Sequence, residues 1–148
     1  MKEQLITFET AKLAKEKGFD IKVETFYMGD SENNFLHNAG KKDNWNNYKC
    51  ILDESELSDD YSAPTQSLLQ KWLREKHNLS VEVQFDYAYE IDEGKGNYFD
   101  AIFTVKIADI SNPIKYNVIS PSWQRKDGNQ FTYEGALEKG LQEALKLI

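Results

Sequence analysis

The chain is short of cysteine, histidine, positive charge and long apolar runs, and each shortage removes a class of protein. A single cysteine, Cys50, excludes an internal disulfide framework and a structural zinc site built on several thiolates. Its setting, Tyr48-Lys49-Cys50-Ile51-Leu52, suits a small buried hydrophobe better than a thiolate held by neighbouring cations. No window approaches the ~18 consecutive apolar residues of a membrane span. Met1 to Thr7 lacks the apolar core of a secretion signal, so no membrane association and a cytoplasmic setting are expected. With 18 Lys and Arg against 25 Asp and Glu, the net charge is −7 and the lysines are scattered among acids. A phosphate backbone demands clustered cations, so nucleic acid is a disfavoured partner. Internal repeats, low-complexity tracts and phosphate loops are also missing.

What is present reads as one α+β domain over residues 1–148, a length that buries a core without staples. Thr7 is a good N-cap for a helix near 8–17, with Glu9 in its first turn, lysines in its last and Gly18 as a stop. Ile21 to Phe26 alternates as a half-buried strand does. Gly29 to Tyr48 is rich in Asn, Asp, Gly and Lys and predicts a long loop or irregular hairpin. A short strand over Tyr48 to Leu52 follows, then an acidic stretch, Asp53 to Asp60, expected as a solvated linker.

The Ser62-Ala63-Pro64-Thr65 start predicts a helix near 65–77, with Leu68, Leu69, Trp72 and Leu73 on one face and an end near Asn78. Beyond it Val81, Val83, Phe85, Tyr87, Tyr89 and Ile91 alternate with mostly polar residues. Phe99, Ala101, Phe103, Val105 and Ile107 do the same after a glycine-rich turn. The pair predicts a long antiparallel hairpin with one face buried. Ile114 to Ile119 adds a strand, and Thr132 caps a helix near 133–147. On that helix Ala136, Gly140 and Ala144 form a smooth row. Glycine inside a helix costs about 0.5–1 kcal/mol relative to alanine, so something must approach closely enough to offset it. Together these elements predict an antiparallel sheet of about 4–5 strands with three helices packed mainly on one face.

Three blocks, Leu5 to Phe19, Ala63 to Glu75 and Tyr133 to Ile148, cover roughly a third of the chain. In order and spacing they resemble a family of small uncharacterised proteins from phages, prophages and mobile elements of Bacteroidetes gut bacteria. Members often carry a second acidic residue where this chain has Gly135. The resemblance implies a mobile-element origin and a bacterial host cytoplasm, and it implies no activity, cofactor or functional residue. The blocks coincide with the three helices, so capping and packing account for most of what they share.

Chemistry-bearing residues are few. His77 falls near the end of the second helix, where packing or dipole complementarity explains it, and His37 lies in a polar segment without a second ligand nearby. Asp30 to Asn34 echoes a calcium loop but lacks its glycine and closing glutamate. The pairs Asp53/Glu54 and Asp59/Asp60 serve acid–base work only if buried at set distances, and Gly94-Lys95-Gly96 is too short to cradle a phosphate. No metal or cofactor is expected. Eight Tyr, eight Phe and three Trp are a generous set, and Phe35, Trp45, Tyr48 and Trp123 fall in predicted loops or turns or at their edges. They read either as core or as an aromatic recognition surface. The leading expectation is therefore a non-catalytic binding or accessory protein of a phage or mobile element, acting on a protein partner. A homodimer through the smooth row or a sheet edge is a further expectation. A nucleotide-type sequestering protein is the first alternative and an uncharacterised enzyme the second.

Overall fold

Three threonines begin the three α-helices among the described residues, each by the same short-range bond. In the computed structural model, which describes residues 3–29, 35–53, 56–92, 96–112, 116–119 and 132–148, α1 spans Phe8–Glu16, α2 Gln66–His77 and α3 Tyr133–Lys146. The hydroxyls of Thr7, Thr65 and Thr132 accept from the backbone N–H of Thr10, Leu68 and Gly135, satisfying one orphan donor per helix. At the end of α1, Gly18 takes φ +81° while Phe19 N–H bonds Ala14 and Gly18 N–H bonds Lys15. This paired closure tucks Phe19 into the core, where it is 2% exposed. Asn78 ends α2 in the same left-handed region, at φ 55°.

Seven strands among the described residues divide between two antiparallel sheets. The first contains β1 (Val23–Met28), β2 (Phe35–Asp43), β3 (Lys49–Asp53) and β4 (Glu56–Ser62), in the order β2-β1-β4-β3. The second contains β5 (Leu79–Asp92), β6 (Gly96–Asp109) and β7 (Tyr116–Ile119), in that order. The α+β class and the three helices are those expected, but the strands form two sheets and not one. The irregular-hairpin reading of Gly29 to Tyr48 holds in part: β2 pairs with β1, with a register break between Val23 and Thr25. A 3₁₀ turn, Trp45–Asn47, leads into β3.

The acidic stretch expected as a linker is instead largely β4, an inner strand flanked by β1 and β3. Its acids have partners that sequence spacing does not reveal. Asp59 reaches Lys15 at 3.3 Å and Lys49 at 3.8 Å, and Asp60 is buried. Tertiary pairing overrides the weak strand propensity of such residues.

The helices form a layer in contact with both sheets. α3 packs on β5 and β6, α2 on β5 and α3, and α1 on α3 and β4. One cluster of buried residues joins them, including Ile6, Phe19, Leu69, Trp72, Leu73, Val81, Val105, Leu141 and Leu145. Gly140 supplies the close approach that its cost requires. A Cβ there would sit 2.5 Å from Val105 Cγ1 and 2.9 Å from Val81 Cγ1. The smooth row of Ala136, Gly140 and Ala144 is thus buried within the chain against the second sheet. This corrects the expectation that it forms a dimer surface.

Cover over the long hairpin runs out along its length. Val81, Val105 and Ile107 are buried, Val83 and Phe103 half-buried, and Phe85 is 56% exposed.

Candidate functional site

Between α2 and the β1–β2 pair lies an open groove of about 930 Å³. The N-terminal segment forms part of its wall because Leu5 bridges to Thr65 and Ile6 N–H bonds the Pro64 carbonyl. Leu5, Val23, Leu36, Ala63, Pro64 and Leu68 give it an apolar lining. Lys22, Lys42, Lys71 and Arg74 line it as well, against only Glu3 and Glu24. All four cations are exposed. Lys71 also meets Glu75 at 3.8 Å, an exposed i,i+4 pair that stabilises little. In a chain of net charge −7, this groove concentrates the opposite sign.

None of the four cations stood out in the sequence. Lys71 and Arg74 share one face of α2, opposite Leu69, Trp72 and Leu73, and that three-residue spacing was the available signal. Lys22 and Lys42 join them only through the fold.

The predicted aromatic surface is broken up. Trp45 is 8% exposed: its indole N–H donates to the Val23 carbonyl at 2.7 Å and its ring stacks on Phe26 at 4.4 Å. The reading of Trp45 as core is the one that applies. Phe35 is 59% and Tyr48 45% exposed, and Trp123 lies outside the described residues. Tyr48 tilts against Trp45 at 5.3 Å and donates its hydroxyl to Asp43 at 2.9 Å. Phe35 sits at the other end of the region, opposite Met28 on β1.

On the same sheet, pairing with Phe26 sets His37 and Ser62 on one face, and pairing with Met28 adds Asp60. His37 stacks on Phe26 at 5.5 Å. Cys50, His37 and Asp60 are the residue types of a nucleophile, a base and its orienting acid. Their arrangement defeats that chemistry. The Cys50 thiol donates to the Ser58 carbonyl at 3.6 Å, not to an imidazole, and burial and the neighbouring Asp60 carboxyl raise its pKa. A nucleophilic thiolate needs the reverse. Burial also raises the Asp60 carboxyl, against the lowering effects of Cys50, Lys15 and His37.

His77 packs edge-on against Trp72 at 4.5 Å, and burial together with the Lys76 charge lowers its pKa. Packing, not a cation at the helix end, is its role. Asp30 to Asn34, Glu54 and Gly94-Lys95 lie outside the described residues. Among the described residues, no three His, Cys, Asp or Glu side chains converge as metal ligands do.

A buried polar centre elsewhere ties the helices together. Glu138 on α3 accepts from Thr7 N–H at 2.8 Å, Thr10 Oγ1 at 2.5 Å and Gln66 Nε2 at 2.7 Å. Gln142 adds a bond to Thr10 Oγ1 at 2.9 Å. The carboxylate thereby caps α1 from another helix, at the end where the dipole favours negative charge. Its partners mark it as structural.

Among the described residues no helix is long and apolar enough to cross a membrane. Neither a protein-family model, nor a curated protein, nor a solved structure matches the chain.

Proposed function

We propose that this chain is a non-catalytic binding protein whose groove takes an acidic, partly apolar segment of a protein partner. The observation that carries the reading is the cation-rich groove over an apolar lining in a strongly acidic chain. Opposite charge at the rim steers a partner and sets its register, while the apolar lining contributes the burial. The sequence-level resemblance supports a role as an accessory protein of a phage or mobile element, acting in a bacterial cytoplasm. A nucleotide-type ligand is less well served here, because among the described residues the groove lining holds only His37 and Arg74, and no Phe, Tyr or Trp, for a base to stack on.

The test is native mass spectrometry of the chain before and after incubation with bacterial lysate, beside a Lys71→Glu/Arg74→Glu variant. The wild type gains a protein partner, the variant loses it, and added salt weakens the complex. Equal binding by both proteins would remove the groove from the account. A persistent small-molecule mass on the purified wild type would favour the sequestering alternative.

A further inference from the structure

We infer that the partner segment docks as an added strand on the open edge of β2, an inference that rests on the groove being the binding site. β2 ends the sheet order, and β1 is its one strand neighbour among the described residues. From Phe35 to Asn38 its register with β1 is continuous, before the break that sets Val23 opposite Asp43. In an antiparallel ladder, alternate residues turn both backbone groups toward the neighbour and the others turn theirs outward. Two residues of this run therefore offer an N–H and a C=O each to an incoming chain.

The same strand borders the groove. Leu36, 48% exposed, and Asn38 line it from β2, while Leu68, Lys71 and Arg74 line it from α2. A segment paired to β2 sends every second side chain toward that space. Apolar side chains there meet Leu36 and Leu68, and acidic ones meet Lys42, Lys71 and Arg74. The occupant is thus an extended segment whose groove-facing positions, every second residue, carry both apolar and acidic side chains. A second copy of this chain fits poorly, because Phe35 to Asn38 of an incoming β2 carries no acidic side chain to meet Lys42, Lys71 and Arg74. The register break beyond Asn38 limits the docking run to a few residues.

The test uses the full chain and fluorescent synthetic peptides that carry leucine and glutamate in turn at every second position with serine between, their lysine counterparts, and acidic versions N-methylated at successive positions. The acidic peptide is expected to bind and the lysine one not to. N-methylation at every second position should weaken binding about fivefold to tenfold and at the intervening positions should not. Amides in Phe35 to Asn38 should exchange more slowly in the complex. If the acidic peptide binds but N-methylation shows no alternation and the β2 amides are unchanged, strand addition falls and the groove reading stands. If the acidic peptide fails to bind the folded chain, or binds the Lys71→Glu/Arg74→Glu variant equally, both readings fall.

Discussion

Replacing Gly140 with alanine tests a close helix–sheet approach. In an exposed helix the change stabilises by about 0.5–1 kcal/mol, because alanine restricts the unfolded chain more and favours the helix. Here the new methyl would lie 2.5 Å from Val105 Cγ1 and 2.9 Å from Val81 Cγ1, distances at which something must move. Both valines are β-branched, stiff at χ1 and 1% exposed, so neither swings aside easily. Overpacking of this kind costs about 1–3 kcal/mol, which leaves a net loss of up to about 2.5 kcal/mol. Urea unfolding followed by tryptophan fluorescence reads the difference, since Trp45 and Trp72 are both buried. A Val105→Ala background removes the nearer methyl. That substitution alone costs about 2 kcal/mol from lost burial and a residual cavity. In its presence Gly140→Ala should cost less, only the Val81 contact remaining, a coupling of about 1 kcal/mol or more. A stabilising Gly140→Ala in the wild-type background would refute the close approach and return the glycine to the status of an unexplained cost.

Two further substitutions probe the buried polar groups. Glu138→Ala strands the Thr7 N–H, the Thr10 hydroxyl and the Gln66 amide, and should destabilise by about 2–4 kcal/mol in urea, with faster amide exchange in the first turn of α1. A change below about 0.5 kcal/mol would show that this centre is dispensable. Asp60→Asn concerns pH. Burial holds the Asp60 carboxyl above its ordinary value of 3.8, so the folded state binds the proton more tightly than the unfolded one. The stability this contributes is fully present below 3.8 and is lost as pH rises through the raised folded value. The asparagine variant lacks that loss, so its stability relative to wild type should improve as pH climbs from below 3.8 toward neutrality. A difference independent of pH would contradict the burial argument.

Much of the fold is legible because its signals are short-range. Thr7, Thr65 and Thr132 each bond a backbone N–H three residues on, and the alternation from Val81 to Ile91 and from Phe99 to Ile107 reports a hairpin without knowledge of anything beyond it. Gly140 was legible as a question, since its cost within a helix demands a close neighbour, although the neighbour's identity was not. The candidate site was scarcely legible. Trp45 read either as core or as part of an aromatic recognition surface until its indole met the Val23 carbonyl, 22 positions away. Of the groove's cations, only Lys71 and Arg74 lay near enough along one helix face to suggest a common surface.

The sequence by itself determined the three helices, their caps, the long hairpin and the acidic balance, since each depends on residues a few positions apart or on composition. Only the tertiary structure decided that Asp53 to Asp60 would contribute an inner strand, that the strands would divide into two sheets, and that Glu138 would cap a helix more than a hundred residues distant. It also decided where the positive charge gathers. Lys22 precedes β1, Lys42 lies on β2 and Lys71 and Arg74 on a helix, and scattered charges become a surface only when packing brings their elements side by side.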